Sequence, residues 1–284
     1  MNYWKMLCTK WSREELSSFS SFKKTAYIIL PLLLYFLVHD AAEVLLWAGV
    51  SQFMLVCKAQ TAEFLLSYSD TVRGIINGLS ILLGLFSIRK AVKSEISIEE
   101  GKVSERLLTD YMFVAALALS SAIGFNVLFY LLGITESSQS FTDTANAQFG
   151  VVFFVGLILY GIVSPLAEEA VFRGLIYNRM KRCFPLPIAM VLSSLLFGCY
   201  HGNMVQAVYG TLLGILIAYT YEKYDSFAVP VLFHGAANVS IYVMTYYNPL
   251  NTLNQRTGII MAAVSLLAAA ACLLRIKNKA NAEK

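Results

Sequence analysis

Eight long apolar runs leave this chain one kind of fold. They fall at about Thr25–Leu46, Gly74–Ile88, Tyr111–Leu132, Gly150 through a glutamate pair and beyond, Leu186–His201, Met204–Tyr221, Phe227–Tyr246 and Thr257–Leu274. A membrane-crossing helix needs about 20 apolar residues, and the second run is the short one. Inside a bilayer every backbone N–H and C=O must be paired within the protein, which leaves helices or closed barrels. Barrel strands alternate apolar and polar side chains, and these runs do not. The expectation is an all-α fold, a polytopic membrane helix bundle of about eight transmembrane helices.

Composition agrees. The chain is 57% hydrophobic and only 14% charged, against about 25% charged in a soluble domain. Its net charge of +4 is small. No Gly-rich phosphate loop and no basic-aromatic stripe occurs, so neither a nucleotide nor a nucleic acid is an expected partner. The five cysteines, Cys8, Cys57, Cys183, Cys199 and Cys272, have no C-x-x-C spacing. They read as small hydrophobes rather than as a disulfide framework or metal site.

Four stretches organise the chain. Residues 1–24 are a polar N-terminal segment, 25–149 the N-terminal transmembrane helices, 150–246 a core that carries the buried polar groups, and 247–284 the last helix with a basic tail. The first apolar run lacks a cleavage site and reads as a retained helix. Basic residues crowd the N-terminus, the loop with Arg89, Lys90, Lys93, Lys102 and Arg106, the stretch Arg179–Arg182, and the tail from Arg275. Residues 133–149 have none. With eight spans these clusters share one side, and the positive-inside rule makes it cytosolic, with both termini inside. The loop Ile88–Asp110 is the largest polar insertion and reads as amphipathic. Short loops suit an integral, multi-pass protein of a prokaryotic cell membrane, with the lipid bilayer itself as a partner.

The fourth run is interrupted by Glu168, Glu169 and Arg173. An ionised side chain near a helix centre costs roughly 2.5 kcal/mol or more, so three of them there point to function. Two of the three histidines, His201 and His234, also lie in apolar runs. At 1.5 Å per residue, Glu168 sits about 18 Å, His201 about 20 Å, and His234 and Asn238 about 11 to 17 Å from the inner end of their helices. Three helices can thus bring them to a common depth, with Pro165 kinking the fourth. Glu169 and Arg173 are i,i+4 and can pair; so are His234 and Asn238, and Phe197 and His201. Gly174, Gly198, Gly202, Gly210, Gly214 and Gly235 mark sites where helices can pack closely.

Hydrolysis of a peptide bond by water needs a base for its proton and donors for the developing oxyanion. A carboxylate shielded from water holds a proton more readily than one in water. Glu168 is the candidate base, His201 holds the water or protonates the leaving amine, and His234 with Asn238 donates to the oxyanion. Glu169 and Arg173 support from behind. Glu168, His201 and His234 are also the candidates for a Zn2+ site with an open position. No H-E-x-x-H is present, and a metal-free site is slightly favoured. Blander readings stand beside these. A lone Glu can bridge helices, a lone His can be a packing residue, Arg173 reads as structural, and Phe197 as packing. His39, Asp40 and Glu43 read as an interfacial polar cluster near the outer end of the first helix. Tyr242, Tyr246, Tyr247, Trp4, Trp11 and Trp47 read as interfacial anchors.

These residues resemble a known family. Glu168-Glu-Ala-Val-Phe-Arg-Gly174, Phe197-Gly-Cys-Tyr-His201 and His234-Gly-Ala-Ala-Asn238 are similar to the EExxxRG, FxxxH and HxxxN motifs of the CPBP (Abi, type II CAAX prenyl endopeptidase) family. The resemblance runs from about Gly150 to Tyr246. It implies an eight-helix intramembrane protease with a cavity open to the cytosol, roles for Glu168, His201, His234 and Asn238 like those above, and a membrane-associated peptide or lipidated protein as substrate. Members are often classed as metalloproteases, and a metal-free glutamate mechanism is also credited to them. A proton-coupled transporter, or a non-catalytic immunity or regulatory protein of the same fold, are the alternatives.

Overall fold

The computed structural model describes residues 3–96, 108–247 and 253–282. Most of the expected amphipathic loop, with Lys102 and Arg106, lies outside the described residues. Twelve helical elements occur among those that are described. They are α1 (Tyr3–Cys8), α2 (Arg13–Ser17), α3 (Ser21–Val56), α4 (Ala59–Ser67), α5 (Ser69–Glu95), α6 (Leu108–Leu131), α7 (Gln139–Phe149), α8 (Phe153–Cys183), α9 (Leu186–Tyr200), α10 (Met204–Tyr224), α11 (Ala228–Tyr246) and α12 (Gln255–Ala282).

Seven of these, α3, α5, α6, α8, α10, α11 and α12, are long and apolar enough to cross a membrane. The molecule is an all-α, multi-pass integral membrane bundle. Two expected spans differ in extent. The first run continues past Leu46 to Val56, because Glu43 and Gln52 stand singly between apolar turns and nothing breaks the helix before Cys57. The second is not short, since α5 runs from Ser69 to Glu95. The fifth, α9, is only 15 residues, or about 22 Å. His201 closes α9, Gly202 takes a left-handed φ of 73°, and Asn203 caps α10 by accepting from the Gln206 N–H at 2.9 Å. A polar turn therefore ends α9 there and leaves His201 facing the interior. Gly202 serves this turn rather than helix packing.

Two apolar clusters hold the bundle. One joins α3 and α5 to the inner half of α8 through Tyr27, Ile88, Phe172 and Ile176. The other joins α6, α10, α11 and α12 through Leu117, Ile217, Phe233 and Ala269. One end of the bundle is tied by charge. Arg179, fully buried, donates from Nε to Glu95 at 3.0 Å and from its two Nη groups to the Tyr27 and Leu7 carbonyls. Arg182 meets the other Glu95 oxygen at 2.6 Å, Lys181 meets Glu222 at 2.7 Å, and Arg13 donates to the Lys181 carbonyl. The N-terminal segment is thus packed onto the basic end, and Ser12 and Glu15 close a capping box at α2.

Candidate active site

Helix α8 is not a regular α-helix. Leu159–Val163 and Ala170–Tyr177 are π-helical, with an α-helical turn, Ser164–Glu169, between them. Pro165, where a kink or tilt was expected, lies in the α-helical turn between these two wide turns. The cause is readable. The Ser164 N–H bonds to the Leu159 carbonyl, one residue further back than in an α-helix. Pro165 has no N–H to continue that register, so the Tyr160 carbonyl is left without an intrahelical donor. Asn238 supplies one: its Nδ2 donates to the Tyr160 oxygen at 3.0 Å. Helices α8 and α11 approach closely here, since a Cβ on Gly235 would lie 2.8 Å from the Gly161 carbonyl oxygen.

The wide turns display the two glutamates differently. Glu169 is fully buried and points at a cation and an imidazole: Arg173 Nη1 donates to its Oε1 at 2.9 Å and His234 Nδ1 lies 2.7 Å from the same oxygen. Arg173, also fully buried, donates from Nη2 to the Gly214 carbonyl at 3.2 Å, and its guanidinium lies 4.3 Å from the Phe197 ring centroid. The expected Glu169–Arg173 pair is present, and His234 joins it. Glu168 turns toward a cavity. Ser164 donates to its Oε1, and its Oε2 has no protein partner and lies 3.9 Å from His234 Nε2.

Both histidines have a defined orientation. The Phe197 carbonyl can only accept, so His201 Nδ1, 3.0 Å away, carries the proton of that bond. In His234, Nδ1 faces the Glu169 carboxylate. Each ring therefore keeps Nε2 for the cavity. Phe197 packs edge-on against both imidazoles, with centroids 5.1 Å from His201 and 5.4 Å from His234. The packing expected of Phe197 is found, and it sets both rings.

The cavity measures about 620 Å³, and Glu168, Phe197, His201, His234 and Asn238 all line it, with Ser164, Tyr160 and Tyr242. All four residues named from the sequence are thus brought together. Ser164 and Tyr242 were missed. Ser164 had a signal in its spacing, four residues before Glu168. Tyr242 is no interfacial anchor: it is 4% exposed, stacks between Phe149 and Phe153, and rests over Gly156, where no Cβ would fit. Tyr247 is 71% exposed. His39 does not sit near the end of its helix. It lies midway along α3, buried, with Nδ1 2.8 Å from Asp40, and it does not line the cavity.

Among the described residues, no three of His, Cys, Asp and Glu gather closely enough to hold a metal ion. Glu168, His201 and His234 share the cavity wall without converging on one point, and the Phe197 ring packs against both imidazoles. The arrangement does not fit a resident Zn2+.

The cavity opens at the end opposite the basic cluster. The turn with Thr135 and Glu136, helix α7, and the outer ends of α6 and α11 frame it. On the basic side, Val171, Phe172, Leu175, Ile176 and Tyr177 are at most 1% exposed and close it off. Termini in the cytosol and a cavity open to the cytosol therefore cannot both hold.

Residues 150–240 match the family model described as Rce1-like, type II CAAX prenyl endopeptidase Rce1-like. Two curated relatives are similar to this chain. The candidate membrane peptidase YdiL of Bacillus subtilis (strain 168) is 26% identical over 141 residues, which span 49% of this chain and 56% of that protein. The membrane-embedded CAAX protease MroQ of Staphylococcus aureus (strain USA300) is 24% identical over 198 residues, 64% of this chain and 75% of that protein. The chain thus spans little more than half the length of the first of them. No solved structure matches significantly. The Rce1-like segment contains Glu168, His201, His234 and Asn238, and begins where α8 turns inward.

Proposed function

We propose that this protein is an intramembrane endopeptidase that hydrolyses a peptide bond of a membrane-associated peptide or lipidated protein, with a water activated by Glu168. The Rce1-like match and the CAAX protease and peptidase names of its relatives support protease chemistry. The observation that carries the reading is the free Glu168 Oε2, 3.9 Å from His234 Nε2, at the floor of a cavity within the spans. A single water can bridge two atoms that far apart.

Ser164 holds Oε1 of Glu168 and so leaves Oε2 for the water. Glu168 takes a proton as the water oxygen adds to the peptide carbonyl carbon. The carbonyl oxygen becomes an oxyanion. Asn238 uses one N–H on Tyr160 and has the second for that oxyanion. His234, held by Glu169, lies alongside. The proton on Glu168 then passes to the leaving nitrogen, directly or through His201, as the C–N bond breaks. A new carboxyl end and a new amine result. Glu169, Arg173 and Phe197 position His234 and touch no reacting atom.

Reconstituted Glu168→Gln tests this. The wild type is expected to cut membrane-anchored peptides, and the variant, folded to the same extent, to cut none. Equal cleavage by the variant, or a wild type that cuts nothing while its genetic phenotype survives Glu168→Gln, removes the protease reading in favour of a regulatory protein of the same fold.

A further inference from the structure

The mouth of the cavity and most of the chain's positive charge lie at opposite ends of the bundle; among the described residues Lys58, Arg73 and Arg256 are the basic residues toward the open end. Lys93, Arg179, Lys181, Arg182, Lys223 and Arg275 all fall at the closed end, where ion pairs and cation–ring contacts knit α2, α5, α6, α8, α10 and α12. At the open end, Glu136 and Asn146 are exposed and line the cavity, and residues 133–149 contain no Lys or Arg. The lining is equally one-sided. Among the described residues it holds two carboxylates, Glu136 at the mouth and Glu168 at the floor, and no Lys or Arg. Its outer wall instead carries neutral hydrogen-bonding side chains such as Asn77, Asn126, Thr142 and Gln206.

Two principles then apply. Basic residues beside membrane spans stay in the cytosol, so the closed end faces the cytosol and the mouth faces the other side. A carboxylate brought into a poorly hydrated cavity is held best by a cation and is repelled by carboxylates already there. This cavity has the carboxylates and lacks the cation. Amides and hydroxyls, by contrast, suit the backbone of an extended peptide.

Resting on the protease reading above, we propose that the site takes its substrate from the extracytoplasmic face, and that the bound segment is an internal, neutral or basic stretch of polypeptide rather than a chain end held by its carboxylate. A substrate is then a secreted or membrane-anchored polypeptide whose cleavable segment has already crossed the bilayer.

The side is tested without catalysis. In a full-length chain whose five cysteines are replaced by serine, Ser137→Cys, in the exposed turn at the mouth, and Lys223→Cys are each treated with a membrane-impermeant maleimide. Ser137→Cys is expected to label in intact cells, and Lys223→Cys only after permeabilisation. The reverse pattern overturns the proposal. The substrate is tested with single-span reporters carrying a short randomised segment on either side of the membrane. Cleavage is expected only in extracytoplasmic segments, at least about tenfold faster for Lys-containing than for Asp-containing ones, with the preference narrowed or reversed in Glu136→Lys. Glu168-dependent cleavage of the cytoplasmic set, or a requirement for a free carboxylate end, overturns it. Labelling from outside with no reporter cut keeps the side, and removes both the substrate assignment and the protease reading.

Discussion

The Glu169–Arg173 pair separates what holds this fold from what aims the site. Both side chains are fully buried, with Nη1 and Oε1 2.9 Å apart. At an effective dielectric of about 20, that separation corresponds to an attraction of roughly 6 kcal/mol, offset by desolvation. Arg173→Met strands the carboxylate and Glu169→Leu strands the guanidinium, and each is expected to destabilise by about 3–5 kcal/mol. The double variant strands neither charge and is expected to regain most of the summed loss, falling short of wild type by about the 1.5–3 kcal/mol of the His234 hydrogen bond that it also lacks, since a buried ion pair and an apolar replacement are often equivalent. Activity behaves differently. Glu169 also accepts from His234 Nδ1 at 2.7 Å, and that bond is absent from the double variant. A hydrogen bond to a charged group contributes about 1.5–3 kcal/mol, so the double variant should stay roughly 10- to 150-fold down in kcat while most of its stability recovers. Unfolding in mixed SDS micelles and turnover of a reporter peptide read the two quantities. Additive stability losses would refute the buried-pair argument. Recovery of activity with stability would refute the positioning of His234 by Glu169.

Other substitutions follow from the same geometry. Ser164→Ala frees Glu168 Oε1 and is expected to lower kcat about tenfold or more with little change in KM; an unchanged kcat would remove Ser164 from the site. Asn238→Leu leaves the Tyr160 carbonyl unpaired and should cost about 1–3 kcal/mol of stability besides abolishing turnover, whereas Asn238→Ala with full stability would show that the carbonyl finds another donor. Gly235→Ala drives a methyl to 2.8 Å from the Gly161 oxygen; displacement of α11 from α8 should destabilise by about 1–3 kcal/mol, read by the same SDS titration. Arg179→Ala removes the bonds to Glu95, Tyr27 and Leu7, and residues 1–20 should become sensitive to limited proteolysis while turnover persists.

Much of this molecule is legible in its amino-acid order, because the bilayer permits so few alternatives. The apolar runs, the shared depth of Glu168, His201, His234 and Asn238, and the Glu169–Arg173 spacing all carry through to the bundle. Helix ends were less legible. Single polar residues such as Glu43 and Gln52 do not stop a helix whose next turns are apolar, so α3 ran on. The end of α9, by contrast, falls where the fifth run stops, and the left-handed Gly202 and the Asn203 cap supply the break. Tyr242 was placed at the interface because its neighbours belong there; its burial depends on Gly156, which lies on another helix 86 residues away. Which end of the cavity stands open was not legible either. Depth along a helix can be counted, but which side of that depth is packed solid depends on contacts such as Phe172 against Phe197.

The two π-turns of α8 draw these points together. Adjacent glutamates on a regular helix differ by about 100° in direction, so one of any such pair can reach a cavity while the other faces its neighbours. Here Pro165 denies an N–H to the register begun at Ser164, the Tyr160 carbonyl turns to Asn238, and α11 is drawn in until Gly235 meets Gly161. That approach brings His234 to both carboxylates at once, bonded to Glu169 and within a water's span of Glu168. The second π-turn begins directly after Glu169 and carries Arg173 back beneath it. Widened turns that are costly in isolation are thus held by groups that also build the site. A chain that regained a regular α8, for instance through Pro165→Ala, should lose the Asn238–Tyr160 bond and the Glu168–His234 approach together.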